Sequence, residues 1–328
     1  MAQHQWEPGT ATGIGSMPGT DPAEAMRVIA GELPDFPHLP ELPARGPGAD
    51  MIGRTAALLI DMPVEVTPRG WRLAERPGRD LARARSMLST DLDVLEEQLH
   101  DYSGPVKIQL AGPWTLAATL ELTRTMNMAL YDPGAVADLA GSLAEAASQH
   151  VKDVAKRLPH AQLITQFDEP ALTAVAEGTI PTASGMSRLA AIDEEPLRER
   201  LSQVLDATTG YSIVHCCDTG VRFEIMRRAG ANGISFDLGQ LRRGEVDAVA
   251  EVTDAGLGLF VGVDSKARES AERVMQLWSR MGIPPKAEQT VITPSCGLAG
   301  ASPEEARATL ARCHEAARIL AEMIGESA

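Results

Sequence analysis

Short apolar runs alternate with longer amphipathic segments along most of the chain. From about residue 103 onward, each run is followed by an Ala-, Leu- and Glu-rich segment whose apolar positions have helical periodicity. We predict that each run is a strand and each following segment a helix. The runs are PVKIQLAGP (105–113), AQLITQFDEP (161–170), YSIVHCC (211–217), ANGISFD (231–237), LGLFVGVD (257–264) and TVITPSCG (290–297).

The N-terminal part of the chain completes this alternation less regularly. TATGIGS (10–16) predicts a first strand, and a second strand is expected within 36–75, which is dense in Pro and Gly. LLIDMPVEVTPRGWRL (58–73) is interpreted as containing a hairpin insertion. Eight strands alternating with eight helices predict an α/β fold, namely a single-domain (β/α)8 TIM barrel over residues 1–328 with an insertion around the second strand. A doubly wound open sheet is the alternative.

Three of the predicted helices carry a start signal. An Asp or Ser followed directly by Pro occurs at Asp21, Asp132 and Ser302. The side-chain oxygen of such a residue can cap free N–H groups, and Pro suits the first helical position. Glu305, three positions after Ser302, would complete a capping box. We therefore expect helices to begin at these three places.

Composition narrows the choice of partners. Hydrophobic residues make up 44% of the chain and aromatic residues only 4%, which predicts an aliphatic core. The formal net charge of -15 disfavours nucleic acid and membrane partners and favours small-molecule substrates. Residues 1–16 show no leader pattern, and no run is long enough to cross a bilayer. We expect a cytoplasmic protein whose four cysteines are reduced.

Polar and sulfur-bearing residues are concentrated where the predicted strands end. In a barrel, the chemistry takes place at the C-terminal ends of the strands. A core built only for stability would have no reason to place such residues there, so the pattern favours an enzyme. The strand ends are Gly15-Ser16, Gly112-Pro113-Trp114, Asp168-Glu169-Pro170, His215-Cys216-Cys217, Asp237, Asp264 and Cys296-Gly297.

Four of these residues have the donor types that zinc accepts: His215, Cys217, Asp237 and Cys296. They come from separate regions of the chain, which favours a site on a barrel rim over a structural zinc finger. The alternative is a set of buried, inert thiols with a buried histidine. Their shared position at strand ends favours zinc. The other two cysteines, Cys216 and Cys313, are assigned to packing.

The charge of this ligand set indicates a class of chemistry. Two thiolates and one carboxylate around Zn²⁺ would give a net charge of about -1. Such a site is poorly suited to polarising a carbonyl group or generating hydroxide. It is well suited to holding an incoming thiol as a nucleophilic thiolate. The set therefore favours alkyl transfer to sulfur over hydrolysis.

A second group of residues suggests an amino-acid pocket. Asp168 and Glu169 are adjacent carboxylates that are costly to bury unless they are paired. They could bind an ammonium group, act as general acid and base, or form a salt bridge with an arginine. Gly13-Ile14-Gly15-Ser16 could present N–H groups to a substrate carboxylate. Five histidines are expected on the surface: His4, His38, His100, His150 and His160.

The order of these motifs resembles the catalytic C-terminal barrel of cobalamin-independent methionine synthase. GIGSMPGT (13–20) is similar to the family's IGS-F/Y-P-x-T opening, and QFDEPAL (166–172) to its Q-x-DEPAL segment. IVHCC (213–217) is similar to its H-x-C zinc motif, and ISFD (234–237) to the segment with its later acidic ligand. PSCGL (294–298) is similar to its D-CGL motif. The resemblance spans nearly the whole chain.

The resemblance implies a zinc-dependent methyltransferase that converts homocysteine to methionine. It implies that His215, Cys217, Asp237 and Cys296 bind Zn²⁺. It also implies that Ile14, Gly15 and Ser16 bind the homocysteine carboxylate and that Asp168 binds the ammonium group, with Glu169 beside it. Asp168 and Glu169 are the candidate catalytic residues on this basis.

Three departures from the family pattern affect this interpretation. The acidic zinc ligand is usually Glu, whereas Asp237 is one methylene shorter. The family's H-G-E motif, whose Glu helps to bind the amino group, is absent, and Glu41 in HLPEL is the nearest candidate. The chain also has no room for the family's second, N-terminal barrel, which helps to bind the folate donor. The methyl donor is therefore open, and a corrinoid protein or another carrier is considered.

Other functions remain as alternatives. One is a corrinoid-dependent zinc methyltransferase that acts on a different thiol. Another is a lyase resembling uroporphyrinogen decarboxylase, which shares the barrel but favours basic residues for a polyanionic substrate. The last is a non-catalytic zinc-binding or sensor protein. The amino-acid pocket distinguishes the homocysteine hypothesis from the corrinoid one, since a simpler thiol would not need Asp168.

Overall fold

The computed structural model describes residues 4–327, so residues 1–3 of the stretch inspected for a leader lie outside the described part. The strands are β1 (Val64–Thr67), β2 (Gly70–Leu73), β3 (Pro105–Ala111), β4 (Gln162–Asp168), β5 (Tyr211–Cys216), β6 (Gly233–Asp237), β7 (Gly258–Val263) and β8 (Thr290–Pro294). The helices are α1 (Pro22–Glu32), α2 (Met51–Ala56), α3 (Arg79–Leu99), α4 (Pro113–Thr119), α5 (Pro133–Arg157), α6 (Leu172–Glu177), α7 (Glu194–Leu205), α8 (Phe223–Arg228), α9 (Val246–Asp254), α10 (Ala267–Met281) and α11 (Pro303–Ser327).

Strands β3 to β8 form one parallel sheet in which neighbours in sequence are neighbours in space. The six apolar runs after residue 103 are thereby confirmed as strands. A doubly wound sheet reverses its strand order at a switch point, and no reversal occurs here, so that alternative is not supported. Because all six strands run the same way, their carboxyl ends meet at one edge. The register there pairs Asp168 with His215.

The two predicted N-terminal strands are only isolated bridges in the described structure. Ala11 bridges to Ile292 of β8, and His38 bridges to Lys107 of β3. A third bridge joins Ser16 to Glu41, so the segments on the two edges of the sheet are bonded to each other. Proline and glycine explain why no longer ladder forms, since proline lacks an N–H donor and glycine weakens a strand. The observed fold is therefore α/β with a curled six-stranded parallel sheet.

The local sequence signals correspond to real features. The hairpin expected within 58–73 is the antiparallel pair β1–β2. The side chain of Asp21 accepts the Ala23 N–H at 2.9 Å, and helix α1 begins at the next residue. Asp132 caps α5 in the same way. Ser302 and Glu305 form the expected capping box at α11.

Aromatic side chains are gathered at one end of the sheet. Trp6, Phe36, Tyr211 and Phe260 form a buried cluster with Ile164, Ile213 and Val291. The Trp6 ring lies 5.1 Å from both the Tyr211 and the Phe260 rings, edge to face in each case. These residues lie in the early part of the strands or in the N-terminal segments. The amino-terminal end of the sheet is therefore filled by a packed aromatic cluster.

Two expectations about polar residues were wrong. His38 and His150 are buried, whereas surface positions were expected. His38 belongs to the N-terminal segment that packs on β3, and His150 lies on the inner face of α5.

The aliphatic core expected from composition surrounds polar side chains on the strands, including the fully buried Lys107. Among the described residues, no helix is long and apolar enough to cross a membrane.

Candidate active site

A cavity of about 310 Å³ lies at the carboxyl ends of the strands. It brings together most of the predicted site residues, and only Glu169 and Asp237 are missing from its wall. The predicted residues that line it are Ile14, Gly15, Ser16, Glu41, Asp168, His215, Cys217 and Cys296. They come from segments that are up to 282 positions apart, Ile14 to Cys296, so the fold and not the local sequence brings them into contact.

One end of the cavity contains a pair of thiols. The sulfur atoms of Cys217 and Cys296 lie 3.5 Å apart, just beyond β5 and β8. Their contact lowers the pKa of the Cys296 thiol to about 6 and, with burial, raises the pKa of Cys217. One proton shared by the two sulfurs accounts for both shifts. An ionised thiol is the form that acts as a nucleophile or as a metal ligand.

The His215 side chain also lines the cavity. It is buried, and its Nδ1 lies 2.9 Å from the Ser235 hydroxyl oxygen on β6. Burial and the nearby Lys107 charge lower the pKa of His215 to about 3, so the imidazole is neutral. Neutral imidazole is the form that binds metals, and a hydrogen bond at one ring nitrogen orients the other.

Asp237 is close to this group but is turned toward its own loop. Its Oδ1 accepts the Gly239 N–H at 2.7 Å. The Asp237 charge raises the pKa of the Cys296 thiol, which places the two residues near each other. Within residues 4–327, no three His, Cys, Asp or Glu side chains are already grouped in a way that could hold a metal ion. Of the four predicted zinc ligands, Cys217 and Cys296 are thus in contact and His215 lines the same cavity, but the described side chains do not form a metal site.

Two buried carboxylates, Glu41 and Asp168, line another part of the cavity wall. They are only 6% and 5% exposed. Burial raises the pKa of Asp168 well above its ordinary value, and the Glu41 charge adds to this. Burial likewise raises the pKa of Glu41, while Arg54 and Lys107 oppose the rise. A cationic group entering between these carboxylates would be strongly favoured.

The segment 13–16 packs closely on the inner side chains of the sheet. A Cβ added at Gly13 would lie 2.1 Å from the His38 ring, and one at Gly15 would lie 2.4 Å from the Gln109 amide. Only glycine allows this approach. Within the described chain, the N–H groups of Gly15 and Ser16 donate to no protein acceptor. They are available to an anionic group in the cavity.

Glu169 lies behind the cavity and stabilises its frame. Its carboxylate accepts the N–H groups of Trp114 and Thr115 at 2.9 and 2.8 Å, and the Thr115 hydroxyl at 2.7 Å. These donors are at the start of α4, where a negative charge is favourable. Burial nevertheless raises the pKa of Glu169 to about 7. The Glu169 N–H donates to the His215 carbonyl, which ties β4 to β5.

The prediction missed three buried residues that surround the cavity. Lys107 and Gln166 donate to the Ile14 carbonyl, and the guanidinium of Arg54 lies 3.9 Å from Glu41. A signal was present for the first two: Lys107 and Gln166 occupy positions in otherwise apolar strands. For Arg54 there was none, since its role depends on the buried partner Asp91, 37 positions away.

Known proteins place this site in a family. The sequence profile of the cobalamin-independent synthase catalytic domain matches residues 9–319. A B12-independent methionine synthase from Shewanella sp. W3-18-1, solved in complex with selenomethionine, has a TM-score of 0.65. Its sequence is 14% identical, and the match covers 98% of this chain and 99% of that one.

Other structures are less similar. The carboxyl transferase domain of Rhizobium etli pyruvate carboxylase has a TM-score of 0.33 at 11% identity, with 73% of this chain and 36% of that one covered. No curated protein matches the sequence significantly. The profile match over nearly the whole chain decides the assignment: this chain belongs to the cobalamin-independent synthase family and is a methyltransferase.

Proposed function

We propose that this methyltransferase transfers a methyl group to the thiol of homocysteine, with zinc bound beside the acceptor sulfur, and so forms methionine. One observation carries the proposal. A single cavity is lined by the two thiols of Cys217 and Cys296 and by the two buried carboxylates of Glu41 and Asp168. Homocysteine has a thiol and an ammonium group at opposite ends of a short chain, so its two ends match these two pairs of side chains.

The residues present fit zinc. A tetrahedral site with Zn–S bonds of about 2.3 Å separates its two sulfur ligands by about 3.8 Å. The observed separation of 3.5 Å between Cys217 and Cys296 is close to that value. His215, already neutral and oriented by Ser235, would be the third ligand, and Asp237 the fourth after its side chain turns from Gly239. When bound, zinc lowers the pKa of a substrate thiol and keeps it nucleophilic.

The remaining residues would bind the amino-acid end. Glu41 and Asp168 would receive the ammonium group, whose charge offsets the cost of burying two carboxylates. The free N–H groups of Gly15 and Ser16 would receive the carboxylate. Such fixation of both groups aims the thiol and reduces the entropy lost in the reaction. Glu169 supports this arrangement from behind, through the start of α4 and the His215 carbonyl.

The same geometry bears on the complete fold. In our proposal, the bridged segments at Ala11 and His38 act as the first two strands of a (β/α)8 barrel over residues 1–328. A further bridge joins Ser16 of the first segment to Glu41 of the second, at the rim where the other strands end. This is the arrangement that a barrel active site needs.

The alternatives are less well supported. A decarboxylase acting on a polyanion would need basic side chains, yet no Lys or Arg lines the described cavity. A thiol without an amino group would have no use for the buried pair of Glu41 and Asp168. A corrinoid protein or another methyl carrier would supply the methyl group.

Zinc-edge X-ray absorption with and without L-homocysteine tests the proposal. We expect two sulfur neighbours in the free protein and three after L-homocysteine is added. An unchanged count with zinc present would exclude homocysteine as the acceptor. Failure of the purified protein to bind zinc would exclude the metal. The Cys313→Ser variant serves as a control, because this thiol is buried on α11 and does not line the cavity.

A further inference from the structure

We infer that Lys107 and Gln166 are positioning residues that set the distance between the carboxylate-binding segment 14–16 and the ammonium-binding Asp168. By setting this distance, they make the site selective for an α-amino acid. The inference rests on the proposed function, since it presumes an acceptor with both groups on one carbon. Neither residue touches the cavity, so neither would contact the substrate itself.

The carbonyl oxygen of Ile14 is the point where the two residues act. It accepts the ammonium group of Lys107 at 2.7 Å and the side-chain amide of Gln166 at 2.9 Å. All of these groups are buried. A hydrogen bond from a charged donor in a buried setting is stronger than a neutral one at the surface. The backbone just before Gly15 and Ser16 is therefore held from below by two strands at once.

Gln166 connects this backbone directly to Asp168. Its amide nitrogen also donates to Asp168 Oδ1 at 2.7 Å. One nitrogen atom thus bonds the Ile14 carbonyl and the Asp168 carboxylate, which belong to the two halves of the amino-acid pocket. Burial lowers the pKa of Lys107 to about 7, and the nearby charges of Asp168 and Glu41 oppose this by favouring its ammonium form. The ammonium group of Lys107 offsets part of the negative charge of this pair.

Segment 13–16 is closely packed, which restricts variation in its distance from Asp168. Gly13 and Gly15 already lie against the His38 and Gln109 side chains, so the segment cannot sink further into the sheet. The Gln109 amide is itself held by the Leu39 carbonyl at 2.8 Å. Because these contacts prevent the segment from moving closer to the sheet, the two donors to the Ile14 carbonyl determine the direction of the segment's N–H groups.

A fixed spacing matters only for a ligand that binds at both points. The carboxylate and ammonium groups of an α-amino acid are joined by one carbon, so they cannot adapt to a shifted pocket. A displacement of about 1 Å can reduce rates by about 100-fold. A ligand with only one of the two groups binds only one half of the pocket, so its position can adjust when that half is displaced. A purely structural role for Lys107 and Gln166 would weaken all ligands alike.

The test compares three thiols on the zinc-loaded protein. L-homocysteine has both groups, 4-mercaptobutyrate lacks the ammonium group, and 3-aminopropanethiol lacks the carboxylate. Dissociation constants are measured by titration calorimetry for the wild type, Lys107→Met and Gln166→Met. The control is Thr293→Val, which changes a buried hydroxyl on β8 that has no hydrogen-bond partner. Circular dichroism and thermal melting check that each variant is folded.

We expect both variants to bind L-homocysteine at least about 10-fold more weakly, with less than about threefold change for 4-mercaptobutyrate and a smaller loss for 3-aminopropanethiol than for L-homocysteine. Thr293→Val should bind all three thiols as the wild type does. Equal losses for all three thiols in folded variants, or no loss for L-homocysteine, would overturn the inference. If Lys107→Met does not fold, Gln166→Met still tests it, since that variant removes a donor without removing a charge. A wild type that does not prefer L-homocysteine would instead overturn the proposed acceptor, and this inference with it.

Discussion

The sulfur of Cys217 lies 3.5 Å from the sulfur of Cys296, although 79 positions of sequence separate the two residues. Cys217 directly follows the last residue of β5, and Cys296 comes two residues after the last residue of β8. The parallel sheet brings these strand ends to one edge, and the curl of the sheet turns them toward each other. This contact makes the thiol pair the centre of the proposed zinc site.

Replacing either thiol should remove the metal. We expect Cys296→Ser to lower bound zinc to below one tenth of the wild-type content and methyl transfer by at least about 100-fold. Mutation of a residue that only hydrogen-bonds a metal ligand already lowers metal affinity or activity by about 10- to 100-fold. Zinc content is measured by inductively coupled plasma mass spectrometry, with Cys313→Ser as the matched control. Full zinc content in Cys296→Ser would remove this cysteine from the ligand set.

Ser235 should influence the metal through His215. Its hydroxyl lies 2.9 Å from His215 Nδ1 and orients the ring. We expect Ser235→Ala to weaken zinc binding by about 10- to 100-fold without unfolding the protein. Competition with a chromophoric chelator measures the affinity. The control is Ser270→Ala, which removes a buried hydroxyl that, unlike that of Ser235, has no hydrogen-bond partner. This variant should leave the zinc affinity unchanged. Equal affinities for the two variants would contradict the role given to Ser235.

Asp168 should determine recognition of the ammonium group. We expect Asp168→Asn to raise the Kd for L-homocysteine by about 10- to 100-fold, because a charged hydrogen bond contributes about 1.5 to 3 kcal/mol. Binding of 4-mercaptobutyrate should not change. Because burial raises the pKa of Asp168, protonation removes the binding charge at a higher pH than for an ordinary Asp. Wild-type affinity should therefore fall as pH is lowered, and the fall should be smaller in Asp168→Asn, where only Glu41 still titrates; an equal fall in both proteins would contradict the role given to Asp168.

Glu169 should make stability depend on pH. Burial raises the pKa of this carboxyl from 4.5 to about 7, so the folded state binds its proton more tightly than the unfolded state does. The free energy of unfolding should then decrease as pH rises from about 4.5 to about 7, by at most on the order of 3 kcal/mol. Urea unfolding across this window should show a weaker decrease for Glu169→Gln. The same slope in both proteins would contradict the assignment.

The buried arginine beside Glu41 should matter more than an exposed one. Arg54 donates to Asp91 at 2.7 Å and lies near Glu41, all three being buried. Arg54→Met would leave Asp91 with only Arg45 as an ion-pair partner and remove the guanidinium beside Glu41, at a cost of up to about 3 to 5 kcal/mol. Arg124→Met breaks only the exposed pair with Glu75 and should cost less than about 1 kcal/mol. Similar losses in urea unfolding would show that the Arg54 network is not important.

Sequence reasoning was most successful where a structural signal is local. The six parallel strands, the hairpin and the three capped helix starts depend on residues close together in the chain, and all were found. The first two strands were also predicted, but they are only isolated bridges in the described structure, because prolines and glycines prevent longer ladders and their partners are distant residues such as Lys107 and Ile292. Propensity contains no information about such partners.

The same distinction applies to the site. Residues in recognisable motifs, such as His215 and Cys296, were predicted and do line one cavity. Lys107 and Arg54 were missed because their roles depend on which charges fold around them. The orientation of Asp237 toward Gly239 could not be foreseen either, since it is decided by a turn that competes for the carboxylate. Zinc binding by these residues remains a prediction.

The aromatic cluster around Trp6 has a consequence for the order of events. It fills the amino-terminal end of the sheet, so reactants would enter and leave the proposed site at the carboxyl ends of the strands. A thiol acceptor seated on the inner wall would have to arrive before the methyl carrier, because the carrier would cover the opening. The methylated product could leave only after the spent carrier had departed. Packing of four aromatic rings at one end of the sheet would in this way impose a compulsory sequence of arrival and departure at the other.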